Sequence, residues 1–134
     1  MKPFRFFDAA EYARLDHLSK SSDTHPRLTP AQRQGLAALL KEGTTITDAR
    51  ELARCVALGD RVKLTSPHDA DDWYELELVL PADADVDADR IPLFTPVGIA
   101  LLGRRTGEMI AWETPVGTRE MSITSVVKLV AAGA

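Results

Sequence analysis

The chain has 134 residues, enough for one domain or one domain with a small appendage, and its 45% apolar and 27% charged make-up suits a soluble globular protein. A net charge of −4 argues against attraction of the whole molecule to nucleic acid or to an anionic membrane. Basic and acidic residues nearly balance over residues 1–53, so the acidic excess belongs to residues 54–134 and speaks against direct DNA binding there.

From the start of the chain, Met-Lys-Pro-Phe-Arg-Phe-Phe-Asp lacks the apolar centre of a signal peptide, and no window approaches the ~20 apolar residues of a membrane span. Cys55 is the single cysteine, which removes any internal disulfide and suits a reducing compartment. A cytoplasmic protein is expected. Phe7-Asp8-Ala9-Ala10-Glu11-Tyr12 opens a first helix, with Asp8 as N-cap, Glu11 three residues on, and Phe7 placed to staple onto Tyr12. Tyr12, Leu15 and Leu18 then share a face. Ser19 to Leu28 is polar, contains Pro26 and reads as a loop. Thr29-Pro30-Ala31-Gln32 repeats the start signal for a second helix, with Leu36, Leu39 and Leu40 as its apolar stripe and Gly43 as its end. These two make a helical hairpin. A short third helix over Asp48–Ala53 follows, with Thr47 as its cap.

Beyond Cys55 the periodicity changes to that of strands. Arg61–Leu64 is one. Trp73–Leu80 alternates, with Tyr74, Leu76, Leu78 and Leu80 on one side and Glu75 and Glu77 on the other, as in an antiparallel strand with one wet face. Ile91–Phe94, Met109–Glu113 and Arg119–Val127 supply three more, the last two joined through Pro115-Val116-Gly117. Between them Thr95 caps, and Pro96 begins, a helix over Val97–Leu102 that Gly103 terminates. The expected class is α+β: a hairpin over residues 1–53, then an antiparallel sheet domain with one short helix over residues 54–134.

Chemistry-bearing groups are sparse. Asp83-Ala-Asp-Val-Asp-Ala-Asp89 spaces its carboxylates as a calcium loop does, yet Ala88 and Phe94 stand where Gly and a bidentate Glu are required. The run reads as a solvated connection. His17, His25 and His68 lie in separate polar segments without metal-ligand spacing. Gly98-Ile-Ala-Leu-Leu-Gly103 lacks the Lys-Ser/Thr of a phosphate loop. Trp73 and Trp112 suit core or sheet-face packing. Cys55 has no neighbouring His or second Cys to activate it. Arg104-Arg105 fits either an anionic contact or the capping of a helix end by its dipole. No cofactor, metal or catalytic residue is expected.

Three segments together resemble a known family: Val56-Ala-Leu-Gly-Asp-Arg-Val-Lys-Leu, Arg90 to Gly107, and Ile110-Ala-Trp-Glu-Thr-Pro-Val-Gly. Their order and spacing are similar to the C-terminal domain of the GreA/GreB transcript cleavage factors. Thr-Pro-Val-Gly-Ile-Ala-Leu-Leu-Gly matches that family's Ser/Thr-Pro-x-Gly-x-Ala-Leu-Leu-Gly signature. With a short hairpin in front, the chain looks still more like the Rnk proteins, named as regulators of nucleoside diphosphate kinase. The resemblance implies an FKBP-like fold and RNA polymerase as partner, bound at the rim of its secondary channel. Carried over, the contact corner is Phe94, Thr95 and Pro96, with Arg104 and Arg105 nearby and Asp23 at the hairpin tip. Each hairpin helix would span only ~18 Å, and the loop Ser19–Leu28 carries one acid, Asp23. A monomeric, non-enzymatic polymerase binder without cleavage activity is therefore expected. Two alternatives stay open: an FKBP-like folding helper or prolyl isomerase, and a regulator of nucleoside diphosphate kinase and nucleotide pools.

Overall fold

The structure, a computed structural model, describes residues 3–21 and 28–128. Asp8 caps α1 (Ala9–Lys20), its carboxylate accepting from the Ala10 N–H at 2.8 Å, and the Phe7 and Tyr12 rings meet edge to face at 5.8 Å. α2 (Pro30–Lys41) starts with a full capping box. Thr29 Oγ1 accepts from the Gln32 N–H at 3.1 Å, and the Gln32 side chain accepts from the Thr29 N–H at 3.0 Å. The two helices pack through Leu15, Leu18, Leu36, Leu39 and Leu40, all buried.

Three features of this first part differ from the sequence expectation. α2 ends at Glu42, whose N–H reaches the Leu39 and Leu40 carbonyls, and Gly43 instead opens a strand. That strand, β2 (Gly43–Thr45), pairs in parallel with β1 (Arg5–Phe7), and a Cβ at Gly43 would lie 2.4 Å from the Phe7 ring. Gly43 is needed for close approach, not for helix termination. α3 (Ala49–Arg54) is capped by Asp48 rather than Thr47, its carboxylate accepting from the Arg50 N–H at 2.9 Å.

The second part is a five-stranded sheet built from β3 (Arg61–Thr65), β4 (Trp73–Val79), β5 (Arg90–Pro92), β6 (Met109–Thr114) and β7 (Gly117–Val127), in the order β5-β4-β3-β7-β6. Its pairs are antiparallel except β4–β5, which run parallel. Antiparallel pairing thus dominates, as expected, but one edge departs from it. The expected strand over Ile91–Phe94 shortens to Arg90–Pro92, because Leu93 and Phe94 already turn toward the helix α4 (Pro96–Leu101). The β6–β7 connection is a two-residue turn, since Gly117 pairs with Thr114. The alternation in β4 holds: Leu76 and Leu78 are buried, while Glu75 and Glu77 face Arg61 and Arg90, each at 3.7 Å. Trp73 lies on that outer face, 48% exposed, with Lys63 Nζ 4.3 Å over its ring. Asp83 to Asp89 is exposed and folds through two single 3-10 turns, Pro81–Asp83 and Val86–Ala88.

One hydrophobic cluster runs through both parts, joining Phe7, Leu15 and Leu36 to Leu64, Leu76 and Ile110. Among the described residues no helix is long and apolar enough to cross a membrane.

Candidate functional site

The Thr95–Pro96 corner is assembled from the strand end upward. Leu93 is fully buried and its N–H reaches the Val79 carbonyl at 2.7 Å, which pins the chain just before it bends. Phe94 is half-buried against the core. Thr95 is extended, and its hydroxyl works in both directions. It accepts from the Gly98 N–H at 3.1 Å and donates to the Pro92 carbonyl at 2.9 Å. Pro96 follows as first residue of α4, where its missing N–H leaves no orphan donor, and it is exposed. Gly98 sits so close to the preceding strand that a Cβ would lie 2.5 Å from the Leu93 carbonyl oxygen and 2.8 Å from that of Pro92. The signature glycine lets α4 lie against its own entry strand, and Pro96 is held outward as a consequence. One turn further on, Ile99 is 40% exposed.

At the far end of α4, Gly103 adopts φ +78° and exchanges backbone bonds with two other segments. Its N–H reaches the Val56 carbonyl, and its carbonyl takes the Phe6 N–H, both at 2.8 Å. Arg104 and Arg105 follow. Arg104 places two nitrogens on Glu108 Oε2 at 3.2 and 3.0 Å and lies 5.2 Å from the Phe4 ring centroid. Arg105 bridges Glu51 and Glu108, both at 3.4 Å, and covers the Phe6 ring at 4.5 Å. Both guanidiniums are therefore engaged within the molecule, between the N-terminal strand, α3 and the start of β6. Asp23, the expected hairpin-tip acid, lies outside the described residues, as does His25.

A second feature has no local signal in the sequence. A cleft of about 800 Å³ opens where α1 and α3 meet the Cys55–Asp60 loop and the β4–β5 edge. Glu11, expected to close a capping box on its own helix, instead crosses this junction and accepts the Leu58 N–H at 3.1 Å. Asp60 accepts from the Ala57 N–H at 2.8 Å and pairs with Lys128 at 2.6 Å. Burial pushes both carboxyls above their usual range, outweighing the N–H donors and the Lys128 ammonium that favour their ionised forms. Burial also raises the Cys55 thiol, whose sulfur lies 3.2 Å from the Glu51 carbonyl. A buried thiol with a raised pKa is a poor nucleophile. No group of three His, Cys, Asp or Glu side chains that could hold a metal ion occurs among the described residues.

The corner and the segments around it decide the family. The model of the family described as "Transcription elongation factor, GreA/GreB, C-term" matches residues 51–128. The chain belongs to the GreA/GreB C-terminal domain family. Transcription elongation factor GreA of Thermodesulfovibrio yellowstonii is 32% identical over 93 residues, covering 69% of this chain and 58% of that protein. Transcription inhibitor protein Gfh1 of Thermus aquaticus is 30% identical over 92 residues, covering 67% of this chain and 53% of that protein. The chain thus spans little more than half the length of these relatives. A solved GreA/GreB elongation factor from Nitrosomonas europaea superimposes with a TM-score of 0.70 at 26% identity, covering 94% of this chain and 99% of that one. The GreA/GreB match contains the whole corner, from Phe94 through Gly98, together with Arg104 and Arg105.

Proposed function

We propose that this chain is a Gre-type transcription regulator that binds RNA polymerase at the rim of its secondary channel without stimulating transcript cleavage. Phe94, Thr95 and Pro96 form the docking corner, and the hairpin lies at the channel mouth. The functional division follows: residues 1–53 obstruct and residues 54–134 dock. The observation that carries this reading is the exposed Pro96, held outward by a buried strand end and a capped helix inside the GreA/GreB match. A rigid apolar protrusion loses little conformational freedom on binding, which suits an anchor in a small interface.

The finer statement, binding without cleavage, rests on reach. α1 and α2 have 12 residues each, so the arm is about 18 Å long. The resemblance to the Gre cleavage factors implies a long coiled coil that carries acidic residues to a catalytic metal of the polymerase, and an arm of this length is a stub beside it. The likeness to both an elongation factor and a transcription inhibitor is compatible with a binder that blocks access. Arg104 and Arg105 serve this reading by holding the corner's rear rather than by offering free charge.

The test is a pull-down of purified bacterial RNA polymerase, with and without GreA as competitor, alongside a cleavage assay on stalled complexes. The proposal expects saturable capture that GreA displaces, and no added cleavage. Stimulated cleavage that disappears in Asp23→Ala would overturn the finer statement, and absence of capture would overturn the whole.

A further inference from the structure

Arg5 is only 5% exposed, unusual for a guanidinium, and it lies away from the docking corner. It sits on β1, yet it reaches away from its own strand. Nη1 donates to the Ile99 carbonyl at 2.7 Å and to the Leu102 carbonyl at 2.8 Å, at the C-terminal end of α4. Nε donates to Glu42 Oε1 at 2.9 Å, at the end of α2. One side chain therefore ties the second hairpin helix to the helix that begins with Pro96. The neighbouring contacts point the same way. The Phe6 N–H bonds the Gly103 carbonyl, the Phe4 ring lies 5.2 Å from both Arg5 and Arg104, and Arg105 covers Phe6. A Cβ at Gly103 would lie 2.8 Å from the Arg5 Cβ, so the strand and the loop after α4 are in close contact.

The two ends of α4 are thus held independently. Its start is fixed by Thr95, Pro92 and Leu93; its end is fixed to the hairpin by Arg5. We propose that Arg5 is a positioning residue that locks the direction of the helical hairpin relative to the Thr95–Pro96 corner, so that docking the corner aims the hairpin. The lock is a property of the free molecule; the aiming rests on the docking reading given under Proposed function. A planar fork that satisfies two carbonyls and a carboxylate at once has no equivalent in lysine.

The lock is tested by pulsed electron paramagnetic resonance between nitroxides on Ala38→Cys in α2 and Ala111→Cys in β6, both exposed, in a Cys55→Ala background. The unaltered Arg5 chain gives one narrow distance distribution. Arg5→Met broadens it while far-ultraviolet circular dichroism stays native, whereas Pro96→Ala leaves it narrow. Should Arg5→Met fail to fold, Arg5→Lys broadens it partially, and Glu42→Gln broadens it less because the carbonyl bonds survive. A distribution as narrow in these Arg5 variants as in the parent overturns the lock. Aiming is tested with a photocrosslinker at exposed Lys20, near the end of α1. Arg5→Met is captured by polymerase as the parent is but crosslinks about tenfold less. Equal crosslinking overturns the aiming. Failure of the parent to be captured sinks the docking reading and leaves the distance result standing.

Discussion

Thr95 shows how one hydroxyl can carry a local structure. Accepting from Gly98 and donating to Pro92, it sets both the entry and the exit of the bend. Thr95→Ala is expected to cost about 1 kcal/mol of stability, while Thr95→Ser keeps both bonds and stays within about 0.5 kcal/mol. Urea unfolding of the pair checks this. Gly98→Ala meets a harder obstacle, because a methyl group 2.5 Å from a backbone oxygen forces the strand end and α4 apart. A loss of about 1–3 kcal/mol is expected, and with it a displaced Pro96. What was legible at this scale was chemistry acting within one turn. The local sequence predicts caps at Asp8, Thr29 and Thr95, and each caps its helix. Groups whose partners lie far along the chain were not legible. Arg5 finds Ile99 and Leu102, Glu11 finds Leu58, and Arg105 finds Glu51, pairings that no local pattern encodes.

Among the elements, the amphipathic helices and the long strands announced themselves through their periods, because each presents one stripe or face to a shared core. β1 and β2 did not. Each has three residues, too few for an alternation to register, and they pair in parallel across the whole hairpin. β5 departs from the expected antiparallel pairing because residues 80–89 carry the chain back alongside β4, so that β5 starts opposite Glu77 and runs in the same direction. Gly43 follows a helix, as a terminating glycine does, but its lack of a side chain makes room for the Phe7 ring. The hairpin itself depends on burial. Leu36 on α2 is fully buried in the shared hydrophobic cluster, so Leu36→Ala should destabilise by about 2–5 kcal/mol. Loss of helical signal near 222 nm at a lower urea concentration is the measurement.

The molecule as a whole shares one hydrophobic cluster across the boundary at residues 53 and 54. Both tryptophans, Trp73 and Trp112, lie in the sheet, whereas the two longest helices lie in the hairpin. Fluorescence and circular dichroism therefore report on different parts, and a shared core predicts coincident unfolding midpoints. Separated midpoints would mean that the hairpin melts alone. The junction also gives stability a pH dependence. Glu11 and Asp60 have folded pKa values raised by burial above ordinary values of 4.5 and 3.8. Their contribution is fully present below those ordinary values and is lost as pH rises through the raised folded ones. Glu11→Gln keeps an acceptor for Leu58 but cannot ionise, so its stability falls less than that of the parent from about pH 4 toward neutrality. A parallel decline in both proteins would show that Glu11 does not contribute.

The claim on which the account turns is that Pro96 is a docking surface, and the dissociation constant for purified bacterial RNA polymerase at low salt measures it directly. Parent and Pro96→Ala proteins of equal stability should differ by about tenfold or more, the parent binding more tightly. Equal constants for the two, or no measurable binding by the parent, would contradict the account.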